Sequence, residues 1–156
     1  MKISKNGIEF IKQWEGFRTK PYKDITGLLT IGYGHLIHPG EIFLEVTKEE
    51  AEYYLMQDIE WAEEVINKYV PLRYLTQNQY DSLVSFVYNV GMGAIGRKDG
   101  FVYLKNGKSS TMLRALQSED FVKASKEFPK WSHAGGKIIK GLFNRRTEEQ
   151  TMFNKE

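Results

Sequence analysis

Between two stretches with helical periodicity lies a run of different texture, Phe17 to Val46. It is rich in β-branched and aromatic residues and punctuated by six glycines and prolines (Pro21, Gly27, Gly32, Gly34, Pro39, Gly40). Glycine and proline at that density break helices, so an all-helical bundle is excluded. Thr26-Gly27 stands between two strand-like runs as a turn signal, and the segment reads as a small antiparallel sheet.

The flanks are helical. Ser4 to Glu15 places Ile8, Ile11 and Glu15 on one side of a short helix, with Phe10 and Trp14 on a neighbouring strip, and Gly16 is a natural stop. Thr47-Lys48-Glu49-Glu50 fits a capping box, a Thr that caps and a Glu three residues on that reaches back, so a long helix is predicted from about 48 to 69, ended by Pro71. Thr76-Gln77-Asn78-Gln79 repeats the signal ahead of Tyr80, Leu83, Val84, Phe86, Val87 and Val90, a central buried helix that Gly91 and Gly93 terminate. Shorter helices follow at about 109–117 and 119–128, then a Gly135-Gly136 loop and a last helix from about 142. The segment 94–109, with Gly96-Arg97-Lys98-Asp99-Gly100, fits no pattern. This order predicts an α+β fold in one domain, 1–156. A sheet lobe (about 17–46) packs beside a helical lobe (about 47–156 plus helix 4–15), with a cleft between them.

The composition, 41% hydrophobic and 27% charged, is that of a single soluble domain. The absence of cysteine removes disulfides, thiolate metal sites and thiol nucleophiles. No stretch approaches the ~18 to 20 apolar residues of a membrane span, and the N-terminus is charged where a signal peptide would be apolar, so synthesis in the cytoplasm is expected. A net charge of +2 argues against a dedicated nucleic-acid binder. The charge is lopsided, however: residues 41–64 hold nine carboxylates against Lys48, and residues 97–156 hold thirteen Lys or Arg against seven acids. His35 and His38 lack a third ligand at helical spacing, so no metal is expected. A His in an apolar segment needs a partner, and Asp58 is the candidate.

Glu15, Asp24 and Thr30 carry the candidate chemistry. A carboxyl at a helix C-terminus lies beside the negative end of the macrodipole, which disfavours its ionisation, whereas an Asp in a turn can stay hydrogen-bonded and charged. One protonated and one charged carboxyl is the pairing that glycoside hydrolysis uses. The dipole contributes at most about one pKa unit, so apolar burial near Trp14 and Phe17 is expected to supply the rest.

The stretch Trp14 to His35, W-E-G-F-R-T-K-P-Y-K-D-I-T-G-L-L-T-I-G-Y-G-H, resembles the signature of the phage-type lysozymes, endolysins that cleave bacterial peptidoglycan. The resemblance continues through Ser85–Gly91, Ser110–Arg114, Trp131, Ala134-Gly135-Gly136-Lys137 and Gly141-Leu142 with Arg145-Arg146, and so covers essentially the whole chain. It implies hydrolysis of the β-1,4 bond between N-acetylmuramic acid and N-acetylglucosamine. Glu15 would be the general acid, with Asp24 and Thr30 positioning the attacking water. It places sugar contacts at Leu36, Tyr88, Met112 and Ser125. Asn89, beside Tyr88 near the end of its helix, is an amide that would read an N-acetyl group, and Lys137 is expected near Glu15 or the glycan. No cofactor is implied. The partners are peptidoglycan strands and a separate holin-type protein that permeabilises the membrane, with the enzyme a monomer held in the host cytoplasm until release. The rival readings are a lytic transglycosylase, which uses one acid and releases an anhydro-sugar, and an inactive peptidoglycan-binding module; the Glu15, Asp24, Thr30 set argues against both.

Overall fold

The computed structural model describes residues 1–156. Helix α1 spans Lys5–Glu15, and the Ser4 hydroxyl caps it by accepting from the Gly7 N–H at 3.2 Å. The same hydroxyl donates to Asp81, which ties the start of α1 to the central helix. Gly16 follows with φ of 67°, a value that costs glycine nothing, so the chain leaves the helix with Glu15 as its last residue.

Both capping boxes form as the sequence predicts. Thr47 and Glu50 cap α2 (Lys48–Tyr69), and Thr76 and Gln79 cap α3 (Gln77–Val90). Every residue of α3 from Tyr80 to Val87 is buried, and the helix packs against α1, α2 and the last helix, α6 (Lys140–Phe153). The shorter helices are α4 (Thr111–Gln117) and α5 (Phe121–Glu127). A single cluster of 25 buried apolar side chains runs from Ile11 to Phe153 and joins both lobes.

Three antiparallel strands form the sheet: β1 (Arg18–Lys23), β2 (Leu29–Gly32) and β3 (His35–Leu36). Their register is what builds the site. Tyr22 pairs with Thr30 and Thr30 with Leu36, so these side chains form one cross-strand row on the face turned to the cleft. Ile31 pairs with His35, and both face the other way and are buried. His35 Nδ1 lies 2.8 Å from Asp58 Oδ2 on α2, the expected pairing, and its Nε2 lies 3.2 Å from Glu41 Oε2, a second partner not foreseen.

The Gly135-Gly136 stretch, expected as plain loop, is the turn of a hairpin with two-residue strands, β4 (His133–Ala134) and β5 (Lys137–Ile138). Strands that short leave no alternation to read. The unassigned segment 94–109 is a doubled-back excursion closed by two isolated bridges, Ala94 with Lys98 and Tyr103 with Ser109. Phe101 and Val102 anchor it in the core.

Candidate active site

A cavity of about 800 Å³ opens between the sheet lobe and the helical lobe. Glu15, Asp24 and Thr30, scattered over α1, a turn and β2, all line it. Asp24 sits where β1 turns toward β2. Its Oδ1 accepts from the Thr26 N–H (2.8 Å), the Thr26 hydroxyl (2.7 Å) and the Leu28 N–H (2.9 Å). Partial burial pushes this carboxyl up, but donation from the Thr26 hydroxyl and from the Leu28, Thr26 and Gly27 N–H groups outweighs it and holds Asp24 below the usual carboxylate range. None of the three bonds uses Oδ2. The Thr30 hydroxyl donates to the Leu28 carbonyl at 3.0 Å, which commits its proton and leaves its lone pairs as acceptors.

Glu15 is held by charge, which corrects the apolar setting expected from Trp14 and Phe17. Arg145 Nη1 donates to Glu15 Oε1 at 2.6 Å, while the Trp14 indole turns away to Glu148 at 3.1 Å and the Phe17 ring packs on Tyr33. On the other side Gly34 closes over the carboxylate: a Cβ there would collide with Oε2, and φ is 79°. Behind Glu15 the charges continue into the protein. Arg145 Nε reaches Glu149 Oε1 at 3.2 Å, the Ser85 hydroxyl donates to the same oxygen at 2.7 Å, and Arg146 Nε lies 2.6 Å from Glu149 Oε2. Two guanidinium groups and two carboxylates thus balance. Burial opposes the Arg145 charge, but Glu15 and Glu149 outweigh it and keep the guanidinium above its ordinary value.

The phage lysozyme family model matches residues 12–149, a span that contains this whole constellation. The chain belongs to the phage lysozyme family. It is 41% identical over 98% of its length to an endolysin of Bacillus phage B103, spanning only 54% of that protein. It is 39% identical to an endolysin of Acyrthosiphon pisum secondary endosymbiont phage 1, with 98% of each chain covered. Among solved structures it is similar to the muramidase domain of SpmX from Asticaccaulis excentricus, with a TM-score of 0.77, 32% identity and 99% of each chain covered.

In this phage lysozyme chain Leu36, Tyr88 and Asn89 line the cleft alongside the three candidate catalytic residues. The Tyr88 hydroxyl donates to the Tyr33 carbonyl at 2.7 Å, which fixes its ring in the cleft wall. Met112 and Ser125 stand apart. Met112 is fully buried with Leu113, Ala115 and Leu116 on the inner face of α4, and Ser125 is buried on α5, where it accepts from Gln150. Neither lines the cavity, because the apolar faces of these short helices turn to the core. Lys137 is exposed on β5 and does not line the cleft; Arg145 has the place beside Glu15.

Among the cleft residues not anticipated are Tyr22, Trp131 and Arg146. Tyr22 shares the cross-strand row with Thr30, and burial, then the nearby Glu15 charge, raises its phenol above the ordinary range. Trp131 is braced edge-on by Phe86 with ring centroids 5.6 Å apart, and Arg146 reaches the cavity from behind Glu149. Strand pairing from the Thr26-Gly27 turn would have found Tyr22. The other two depend on long-range packing.

Proposed function

We propose that this phage lysozyme hydrolyses the β-1,4 bond between N-acetylmuramic acid and N-acetylglucosamine in bacterial peptidoglycan, as an endolysin that lyses the host cell. The observation that carries the reading is one cleft lined by Glu15 together with Asp24 and Thr30. Glu15 Oε1 is occupied by Arg145, so the proton delivered to the leaving glycosidic oxygen resides on Oε2. Asp24 Oδ2 and Thr30 Oγ1 are both acceptors. A water donating one hydrogen to each keeps a lone pair free for the anomeric carbon. Water activated by one acid while the other protonates the opposite side is the inverting course.

The endolysin names of the relatives support an enzyme that acts on the cell wall, and we further propose that it waits as a monomer in the host cytoplasm until a separate holin-type protein opens the membrane. No helix is long and apolar enough to cross a membrane. The reading is tested by following anomeric protons by NMR as purified peptidoglycan is digested. New reducing ends that appear first as the α-anomer are expected. Retention at the anomeric carbon overturns the inverting course, and an absence of reducing ends overturns hydrolysis.

A further inference from the structure

Asp24 and Thr30, the two residues assigned to the attacking water, are joined through a single residue of the turn between β1 and β2. The Leu28 N–H donates to Asp24 Oδ1 at 2.9 Å, and the Leu28 carbonyl accepts from the Asp24 N–H at 2.9 Å and from the Thr30 hydroxyl at 3.0 Å. Gly27, with φ of 83°, lets the chain reverse here, and its N–H closes the turn on the Asp24 carbonyl at 2.9 Å. These bonds use main-chain atoms of residues 27 and 28, so they do not depend on the side chain at position 26.

Thr26 nevertheless aims its side chain at the same carboxylate. Its N–H donates to Asp24 Oδ1 at 2.8 Å and its hydroxyl donates to that oxygen at 2.7 Å. Of the donors to Asp24 this hydroxyl is the one that comes from a side chain. Thr26 is exposed and lines the cleft, so it has no packing role that would account for the contact. A carboxylate oxygen carries two lone pairs, and three donors saturate it. With Oδ1 filled, a water approaching Asp24 finds its acceptor at Oδ2.

We propose that Thr26 is a positioning residue for hydrolysis: its hydroxyl completes the occupation of Asp24 Oδ1 and so directs the attacking water to Oδ2, between Asp24 and Thr30. This deepens the peptidoglycan reading above and rests on it. The same contact acts on the charge. Partial burial raises the Asp24 carboxyl, but the Thr26 hydroxyl and then the Leu28, Thr26 and Gly27 N–H groups outweigh it. The other charged and titratable groups around the turn are Glu15 on α1, Tyr22 and Arg18 on β1, and Arg97, Lys98 and Lys105 across the cleft. None of them hydrogen-bonds to the Asp24 carboxylate, whose donors all come from residues 26–28.

The test sets Thr26→Val, which keeps the shape and removes the donor, beside Thr26→Ser, which keeps the donor. On purified peptidoglycan Thr26→Val should lose about tenfold in kcat with KM unchanged, the worth of one hydrogen bond to a charged group, and Thr26→Ser should restore the parent rate. Removing a donor from the charged form raises the Asp24 pKa, so the acid limb of kcat/KM should move to higher pH in Thr26→Val and not in Thr26→Ser. In an Asp24→Asn background Thr26→Val should cost nothing further, because the two changes act on one step. Equal losses in the valine and serine variants, a valine loss that persists in Asp24→Asn, or a parent-like kcat in Thr26→Val overturns the proposal. Carbon NMR titration of the Asp24 carboxyl reads the contact without turnover. A midpoint that moves to higher pH in Thr26→Val while the parent leaves peptidoglycan uncut means that hydrolysis fails and the Thr26 grip on Asp24 stands; an unmoved midpoint overturns that grip whether or not peptidoglycan is cut.

Discussion

The Arg145 guanidinium holds Glu15 across 130 residues of sequence, Nη1 to Oε1 at 2.6 Å, and is anchored from behind by Glu149 at 3.2 Å. Its fork fixes both carboxylates at once, which a lysine ammonium cannot reproduce. Arg145→Lys is therefore expected to lower kcat by about 100-fold through misplacement of the Glu15 carboxyl. Arg145→Gln, which leaves buried carboxylates short of compensation, should in addition cost about 3 kcal/mol in urea unfolding. Parent-like kcat in Arg145→Lys would show that Glu15 needs no such clamp.

Gly34 is the one position where backbone conformation and close approach to the acid coincide. Gly34→Ala pays for a left-handed backbone, about 1 kcal/mol, and pushes a methyl group into Glu15 Oε2. The expected outcome is near-complete loss of wall-clearing activity with a fall in stability of only about 1 to 2 kcal/mol. Retained activity would mean that Glu15 moves freely.

The Asp24 carboxylate is held by three donors that all meet Oδ1. An asparagine keeps that acceptor, so Asp24→Asn should leave unfolding within about 0.5 kcal/mol of the parent. It should nonetheless lower kcat by about 100-fold or more, since the amide cannot take a proton from water. Activity close to the parent's would remove Asp24 from the reaction.

His35 faces carboxylates at both ring nitrogens, Asp58 at 2.8 Å and Glu41 at 3.2 Å, with His38, Phe43 and Tyr54 against its ring. Burial lowers its pKa, but the Asp58 and then the Glu41 interactions outweigh that and raise it. A raised value in the folded state stabilises fully below the unfolded His pKa of about 6.5, and the contribution is lost as pH rises through the folded value. Asp58→Asn should therefore cost about 2 kcal/mol at pH 5.5 and much less at pH 9 in urea titrations. A cost independent of pH would assign Asp58 a purely neutral hydrogen-bonding role.

What was legible in the sequence follows from range. Thr47 with Glu50 and Thr76 with Gln79 are contacts three residues apart, so both long helices could be placed from local chemistry, as could the Thr26-Gly27 turn. The α+β architecture followed from the order of a helix, a small sheet and then several helices, and the family from the Trp14 to His35 signature. Local spacing does not reveal which cation meets Glu15. Lys137 and Arg145 are similarly remote in sequence, and only the packing of α6 on α3 decides between them. Met112 was misplaced because a resemblance transfers positions, whereas burial of Leu113, Ala115 and Leu116 beside it turns that face of α4 inward. The excursion at 94–109 stayed unread because its order comes from glycine crossings and backbone bonds with no periodicity.

The most direct test of Glu15 as the acid of a hydrolase is mass spectrometry of soluble products from purified peptidoglycan, parent beside Glu15→Gln, before and after borohydride reduction. Muropeptides that gain two hydrogens on reduction, released by the parent and absent with Glu15→Gln, are expected. Non-reducible anhydro products, or equal release by both proteins, would contradict it.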